Sequence, residues 1–213
     1  MHFISDDLEN YVANHSEAEP DFLVRLDKET HQKILQPRML SGHFQGRFLS
    51  LLSKLINPKH ILEIGTYTGY AALCLAEGLQ KEGTLDTIDC NEELVTIQNK
   101  YFSASPWATQ ITNYLGDAIK IIPTLNKKYD LVFIDADKEN YINYFHLIVP
   151  MMNSGGLILS DNVLWSGKVL EPLHPKDTTT KVLLEYNKLL KDDPRVETVL
   201  LPIRDGLTVS RVL

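Results

Sequence analysis

Cysteine and basic residues are both scarce in this sequence. Its 213 residues include two cysteines, Cys74 and Cys90, which are not spaced like the ligands of a zinc site. We therefore expect two reduced thiols rather than a disulfide or a structural metal. The 21 basic residues are outnumbered by 28 acidic ones, and the net charge is -7. Broad, non-specific binding to nucleic acid needs many basic side chains facing phosphates, so this charge argues against it.

Long apolar runs are also absent. No run approaches the roughly 20 residues that a membrane-spanning helix needs. The first ten residues contain Asp6, Asp7 and Glu9 and lack the basic and apolar regions of a signal peptide. Because 44% of the residues are hydrophobic, the chain can still bury a full core without cross-links. We expect one cytoplasmic domain over residues 1–213, with no membrane contact.

The sequence does contain a regular alternation of strand and helix patterns. Residues 6–36 have apolar positions at helical spacing, interrupted at Pro20 and ending near Pro37, which predicts a helical extension over residues 1–38 outside the sheet. Helices are then predicted over residues 46–56, 70–80, 92–102, 118–125, 141–152 and 178–191. Strands are predicted over residues 61–65, 84–89, 110–115, 129–135 and 156–160. This alternation predicts an α/β fold with a parallel sheet and right-handed crossovers.

The C-terminal part departs from that alternation. Residues 196–203 and 207–213 are two β-rich runs separated by Arg204-Asp205-Gly206, and an Asp-Gly pair between such runs is typical of a hairpin. The last strand is therefore predicted to run antiparallel to its neighbour.

Two buried strand patterns end in oxygen-bearing side chains. Residues 131–134 run into Asp135, and residues 157–160 run into Asp161 and Asn162. Ligands of open α/β sheets bind at the carboxyl ends of the strands, so these three side chains are expected to meet there. Carboxylate and amide oxygens suit Mg²⁺ or Ca²⁺ better than Zn²⁺. The pattern predicts a site for a hard cation beside Lys138.

A glycine loop joins the first strand to the following helix. It has the spacing G-x-x-x-G, from Gly65 to Gly69, and places Tyr67 where a dinucleotide-binding loop has its second glycine. That difference disfavours NAD and suits a cofactor without a diphosphate, such as S-adenosylmethionine. The same spacing also serves simple packing of a strand against a helix.

Two further strand ends carry residues that could contact an adenosine cofactor. Asp89 ends the second strand, where an acid accepts hydrogen bonds from both ribose hydroxyls. It could instead cap the helix near Glu92, as Asn91 could. After the third strand, Gly116-Asp117-Ala118 could frame an adenine or cap the next helix.

Four segments together resemble the cation-dependent O-methyltransferases of the caffeoyl-CoA and catechol type. They are residues 39–42, residues 63–70, Val132-Phe133-Ile134-Asp135-Ala136-Asp137-Lys138 and Asp161-Asn162-Val163-Leu164-Trp165. The resemblance implies a Rossmann-like, seven-stranded, mostly parallel sheet with helices on both faces and an antiparallel final strand. It also implies S-adenosylmethionine, a divalent cation (Mg²⁺ first, Ca²⁺ or Mn²⁺ as alternatives) and a homodimer in contact through its N-terminal helices.

The same resemblance assigns roles to individual residues. It implies Asp135, Asp161 and Asn162 as cation ligands, Lys138 and Asp135 as catalytic residues, and Trp165 and Ser166 as acceptor contacts. The implied cofactor contacts are Leu40, Ser41, Glu63, Gly65, Thr66, Ala71, Asp89, Gly116, Asp117, Ala118, Asp135 and Asp137. Two positions depart from the family pattern, because many relatives have serine at Ala71 and plant relatives have asparagine at Ser166.

The methyl acceptor is the least defined part of the prediction. A small molecule with two adjacent hydroxyls, either a catechol or a hydroxycinnamoyl-CoA-like compound, is the first expectation. The alternatives are a hydroxylated uridine in tRNA and cofactor binding without catalysis. A basic cluster could hold tRNA phosphates, although such spacing is also typical of a solvated helix face. It comprises Arg25, Lys28, Lys33, Arg38 and Arg47.

Overall fold

The computed structural model describes residues 5–213. Two helices precede the sheet, α1 (Asp6–Asn14) and α2 (Asp21–Lys33), and Pro20 stands immediately before the second. Residues 1–4, which belong to the predicted helical extension and to the segment judged unlike a signal peptide, lie outside the described residues. In the described part, the predicted break at Pro20 and the helical character of the extension are confirmed.

Six more α-helices and seven strands follow. The helices are α3 (Gly42–Ile56), α4 (Tyr70–Ala76), α5 (Val95–Ser103), α6 (Ala118–Ile121), α7 (Tyr141–Ile148) and α8 (Thr178–Asp192). The strands are β1 (His60–Ile64), β2 (Thr84–Asp89), β3 (Ile111–Leu115), β4 (Tyr129–Ile134), β5 (Met152–Asp161), β6 (Val196–Leu201) and β7 (Leu207–Val212). No helix within residues 5–213 is long and apolar enough to cross a membrane.

The strands form one sheet in the order β3-β2-β1-β4-β5-β7-β6. Strands β1 to β5 pair in parallel, whereas β7 is antiparallel to both β5 and β6. The predicted α/β architecture with a reversed final strand is confirmed.

Alternating side chains of the central strands bury two separate apolar layers. On one face Leu62 and Val132 pack toward α7 and α8, and on the other Ile61 and Phe133 pack toward α3 and α4. Burial of both faces explains why these strands are almost continuously apolar.

Several helix ends differ from the prediction, each for a local reason. Helix α6 is only one turn long and α7 ends at Ile148, because Pro123 and Pro150 cannot donate the backbone hydrogen bond that continues a helix. Helix α4 ends at Ala76 rather than at residue 80. A Cβ at Gly78 would lie 2.2 Å from the carbonyl carbon of Ser53, so the chain passes too close to α3 for a side chain there.

Candidate functional site

The residues predicted to bind ligands follow strands at the centre of the sheet. Ile134 of β4 pairs with Ser160 of β5, so the next residue of each strand, Asp135 and Asp161, lies at the same carboxyl edge. The glycine loop begins one strand away, since Ile64 of β1 pairs with Ile134. The topology therefore brings the predicted cation ligands beside the predicted cofactor loop.

Lys138 is not a solvated surface lysine. Only 9% of its side chain is exposed, and its Nζ donates to Oδ1 of Asp135 over 2.9 Å and to the hydroxyl of Tyr141 over 2.6 Å. The Tyr141 hydroxyl is in turn 3.0 Å from the carbonyl oxygen of Asp161, to which it donates. Lys138 and Tyr141 thus connect the ends of β4 and β5.

Asp161 is held from two sides. Its Oδ2 accepts a 2.7 Å hydrogen bond from Nε2 of Gln45, and its Oδ1 accepts the backbone N–H of Asn162 over 2.8 Å. Burial raises the pKa of Asp161 to about 6, and the neighbouring charge of Asp135 adds to the rise. Asn162 has a left-handed backbone (φ 59°), which turns the chain sharply after the strand.

Both glycines of the loop are required by packing. A Cβ at Gly65 would lie 2.1 Å from the carbonyl oxygen of Asp135, and one at Gly69 would lie 2.6 Å from the ring of Phe102. Both also have positive φ, 99° and 91°, which favours glycine. The packing explanation left open by the sequence therefore holds, whether or not a ligand binds the loop.

Asp89 stabilises the loop rather than capping a helix. Its carboxylate accepts the backbone N–H of Tyr67 over 2.7 Å and that of Asn91 over 2.8 Å. The cap of the following helical turn is Asn91, whose Oδ1 accepts the N–H of Glu93. The choice between two caps that the sequence left open is thus resolved in favour of Asn91.

Glu63 is a completely buried carboxyl with one free oxygen. Its Oε2 accepts a hydrogen bond from the hydroxyl of Thr87, whereas Oε1 has no partner among the described residues. Burial raises the pKa of Glu63 well above its usual range, and the charges of Asp135 and Asp89 raise it further. An unpartnered buried oxygen is costly, so Oε1 of Glu63 is a candidate contact for a ligand.

A narrow cavity of about 20 Å³ lies between the loop and the start of α3. Six predicted cofactor contacts line it: Leu40, Ser41, Gly65, Thr66, Ala71 and Asp135. Four residues that were not predicted as cofactor contacts also line it: Met39, Tyr67, Tyr70 and Phe133. All four belong to segments that carry the family resemblance, so the sequence contains a signal for them, although the apolar run around Phe133 predicts only a buried strand.

The other predicted cofactor contacts lie outside that lining. Asp117 caps α6 by accepting the N–H of Ile119 over 3.0 Å, the alternative that the sequence allowed, and Gly116 and Ala118 flank it. Asp137 is exposed and accepts hydrogen bonds from Tyr144 and Asn140.

Trp165 and Ser166 form a strained turn after β5. Both have left-handed backbones, with φ of 49° and 54°. Trp165 packs against the core as a half-buried side chain, and Ser166 is exposed with its N–H donating to the carboxylate of Asp205.

The predicted basic cluster is not one continuous surface. Arg47 is only 8% exposed and pairs with Glu77 at 2.6 Å, so including it in a phosphate-binding face was wrong. Arg25, Lys28 and Lys33 do come together, because all three line an open pocket of about 360 Å³, in which Lys33 pairs with Glu29. Both cysteines are free, as expected, with Cys74 buried and Cys90 exposed.

The fold is that of a Rossmann-like methyltransferase. The O-methyltransferase TomG from Streptomyces achromogenes, solved in complex with SAM, superimposes with a TM-score of 0.89 at 26% identity, covering 97% of this chain and 96% of that one.

Sequence comparison identifies the family. The family profile described as O-methyltransferase matches residues 13–213. Caffeoyl-CoA O-methyltransferase 5 of Nicotiana tabacum is 37% identical, covering 97% of this chain and 91% of its own length. Caffeoyl-CoA O-methyltransferase 1 of Arabidopsis thaliana is 35% identical, covering 97% and 85%. The chain belongs to the O-methyltransferase family, and it is an S-adenosylmethionine-dependent enzyme of that family.

Proposed function

We propose that this enzyme methylates one hydroxyl of a small molecule that carries two adjacent hydroxyls, with the help of a divalent cation. The observation that carries the proposal is the meeting of Asp135 and Asp161 at adjacent strand ends, beside the buried Lys138. A catechol or a hydroxycinnamoyl-CoA-like thioester is the proposed acceptor, in keeping with the names of the plant relatives. The names of those relatives give no support for a tRNA acceptor. Arg47, one of the basic residues that could have held tRNA phosphates, is buried and paired with Glu77.

The residues around the cavity fit S-adenosylmethionine. When bound, this cofactor supplies a methyl group on a positively charged sulfur. A cationic amino group near Glu63 would give Oε1 its missing partner and offset the cost of ionising a carboxyl in the core. Asp89, already fixed by two backbone N–H groups, is proposed to accept hydrogen bonds from the ribose. The further proposed contacts are Leu40, Ser41, Gly65, Thr66, Ala71, Gly116, Asp117, Ala118, Asp135 and Asp137.

The donor set also fits a hard cation. Asp135, Asp161 and Asn162 offer carboxylate and amide oxygens, which Mg²⁺ and Ca²⁺ prefer. Within residues 5–213 no three His, Cys, Asp or Glu side chains gather as a metal site. The amide of Asn162 is proposed as the third protein ligand beside the two carboxylates. When bound, the cation would stabilise the negative charge on an ionised acceptor oxygen. We propose Mg²⁺, with Ca²⁺ or Mn²⁺ as alternatives.

Lys138 is proposed to assist this ionisation. Its Nζ uses two of three N–H donors on Asp135 and Tyr141, which leaves one for the acceptor oxygen. A phenol has a pKa of about 10, so a positive charge held close to it favours the reactive, ionised form. Acceptance of the proton by a neutral Nζ is the alternative role. Trp165 and Ser166 are proposed to contact the acceptor ring.

The test is methyl transfer from labelled S-adenosylmethionine to catechol, to caffeoyl-CoA and to unmodified tRNA, each with Mg²⁺ and with EDTA. We expect labelling of a dihydroxy compound that EDTA abolishes. Asp161→Ala should lose this activity yet still bind the cofactor in calorimetry, whereas Asp192→Ala, which changes an exposed carboxylate at the end of α8, should behave like the parent enzyme. Full activity in EDTA would refute the cation, and labelling of tRNA alone would refute the small-molecule acceptor.

We also propose that the enzyme is a homodimer with α1 and α3 in the interface. These helices touch each other and expose large apolar side chains: Leu8 is 48% exposed, Tyr11 60%, Leu51 58% and Leu55 75%. Leu51 and Leu55 are four residues apart and so lie on one face of α3. Exposed apolar clusters of this kind mark contact surfaces.

Leu55→Glu should therefore shift the protein toward the monomer, because a charge in an apolar interface is costly. Light scattering at micromolar concentration measures the mass of each variant. Leu170→Glu changes an equally bulky side chain that is 88% exposed on another segment, and it should leave the mass unaltered. A parent protein that is monomeric throughout would contradict the proposal.

A further inference from the structure

Arg204 connects the turn between β6 and β7 to the start of α3. Its guanidinium donates through one nitrogen, Nη1, to the carbonyl oxygen of Leu40 over 3.1 Å and also to that of Ser41. The same nitrogen is 3.0 Å from Oε1 of Gln45. Leu40 and Ser41 form the wall of the cofactor cavity opposite the glycine loop.

Gln45 links Arg204 to Asp161 through hydrogen bonds to both. Its side chain is 1% exposed, and its two polar atoms have different partners. Oε1 accepts from Arg204, while Nε2 donates to Oδ2 of Asp161 over 2.7 Å. Because the amide must present its oxygen to Arg204, its NH₂ group is directed at the carboxylate. The buried amide thus has one fixed orientation.

The remainder of the turn holds the segment after β5. The backbone N–H of Leu164 donates to the carbonyl oxygen of Asp205 over 2.9 Å, and that of Val163 donates to Gly206 over 3.2 Å. A Cβ at Gly206 would lie 2.4 Å from Cγ of Leu164, so the turn packs directly on this segment. Three parts of the site therefore depend on one turn: the cavity wall, Asp161 and the segment that contains Trp165.

We propose that Arg204 and Gln45 are positioning residues that set the cavity wall and the carboxylate of Asp161 together. This inference rests on the proposed function for the role of Asp161 in binding a cation. Arg204 restrains Leu40 and Ser41 where the cofactor must bind, and Gln45 selects the direction of one carboxylate oxygen, leaving the charge of Asp161 unchanged. A change at Arg204 is transmitted to Asp161 through a single buried amide.

The experiment compares Arg204→Met with Arg211→Met. Arg211 lies in β7 and pairs with Glu197 at 3.3 Å, and their side chains are 50% and 63% exposed, so its replacement removes the same charge on the surface. Arg204→Met should raise the Kd for S-adenosylmethionine in calorimetry by about tenfold, the scale of losing a hydrogen bond to a charged group. It should also raise the Mg²⁺ concentration needed for half-maximal activity. Arg204→Lys, which keeps a cationic donor, should recover part of both.

Gln45→Met separates the two effects. It removes the donor to Asp161 but leaves Arg204 in contact with the two carbonyls, so it should raise the Mg²⁺ requirement with little change in cofactor Kd. Equal Kd values for Arg204→Met and the parent, at equal Tm, would overturn the proposal. If the parent itself does not bind S-adenosylmethionine, the proposed function fails instead. If the parent binds the cofactor but is active without any cation, the proposed role of Asp161 as a cation ligand fails. The Kd values for S-adenosylmethionine then still decide whether Arg204 positions the cavity wall.

Discussion

Replacing Lys138 with methionine is expected to lower kcat by about 10²- to 10⁴-fold, the range for removing a group that handles a proton or its charge in the transition state. Methionine keeps most of the side-chain volume in a position that is 9% exposed, so packing is largely preserved. The change removes the positive charge beside Asp135. An acceptor hydroxyl would then ionise without a neighbouring ammonium group.

The measurement is steady-state methyl transfer with saturating Mg²⁺ and S-adenosylmethionine, using the best acceptor from the panel. Lys128→Met is the matched control, because Lys128 is an exposed lysine just before the same strand, β4, at its opposite end. Binding of S-adenosylmethionine should change little in either variant. A kcat for Lys138→Met within threefold of the parent would remove Lys138 from the mechanism. A fall confined to cofactor affinity would show that Lys138 acts by orienting Asp135.

The central candidate site residues could be located from the sequence because a residue that ends a parallel strand must lie at the carboxyl edge of the sheet. Once residues 131–134 and 157–160 are recognised as buried strands of a parallel sheet, their last residues must lie at one edge. Asp135 and Asp161 follow directly, and so does the glycine loop after β1. The hairpin could be predicted for a similar reason, since Asp205-Gly206 has a local backbone preference.

Contacts between distant segments could not be predicted in this way. Gln45 and Asp161 are 116 residues apart in the chain, and Gln45 and Arg204 are 159 apart. Neither pair produces a local pattern, because each contact arises only when α3 packs beside the ends of β5 and β6. The sequence pattern likewise predicts Tyr141 as the first residue of a helix, which is correct, but it gives no sign that the hydroxyl lies between Lys138 and the carbonyl of Asp161.

Arg47 shows how spacing alone misleads about charge. In the sequence it follows other basic residues at helical intervals, which favoured an exposed face. In the structure its helix, α3, packs against α4, and Arg47 is buried against Glu77 from the end of that helix. Arg47 therefore belongs to a buried ion pair rather than to an exposed basic surface. Removing its partner carboxylate should lower the free energy of unfolding, which the loss of a surface charge would hardly change.

Glu77→Gln is accordingly expected to lower the free energy of unfolding by about 3 kcal/mol, the lower end of the range for breaking a buried ion pair. The carboxylate accepts from Arg47, Ser50 and Lys54, and the side chains of Arg47 and Glu77 are only 8% and 9% exposed. Glutamine preserves the shape but leaves the guanidinium without a compensating charge. Nε of Arg47 has no hydrogen-bond partner among the described residues, and Glu77 is the carboxylate with which the guanidinium pairs.

Urea denaturation at fixed protein concentration measures this difference, with Glu82→Gln as the control at an exposed carboxylate five residues further along the chain. The control should stay within about 0.5 kcal/mol of the parent.

The effect of Glu77→Gln on the free energy of unfolding should also depend on pH. Burial alone would raise the pKa of Glu77, but the hydrogen bonds from Arg47, Lys54 and Ser50 outweigh it and lower the pKa below the usual 4.5. A carboxyl whose pKa is lowered by folding stabilises the protein fully above its pKa in the unfolded state. That stabilisation is lost as the pH falls through its pKa in the folded state. The gap between parent and Glu77→Gln should therefore be constant at neutral pH and shrink below about pH 4.5. A gap that stays constant into acid would mean that shape, rather than charge, accounts for the loss.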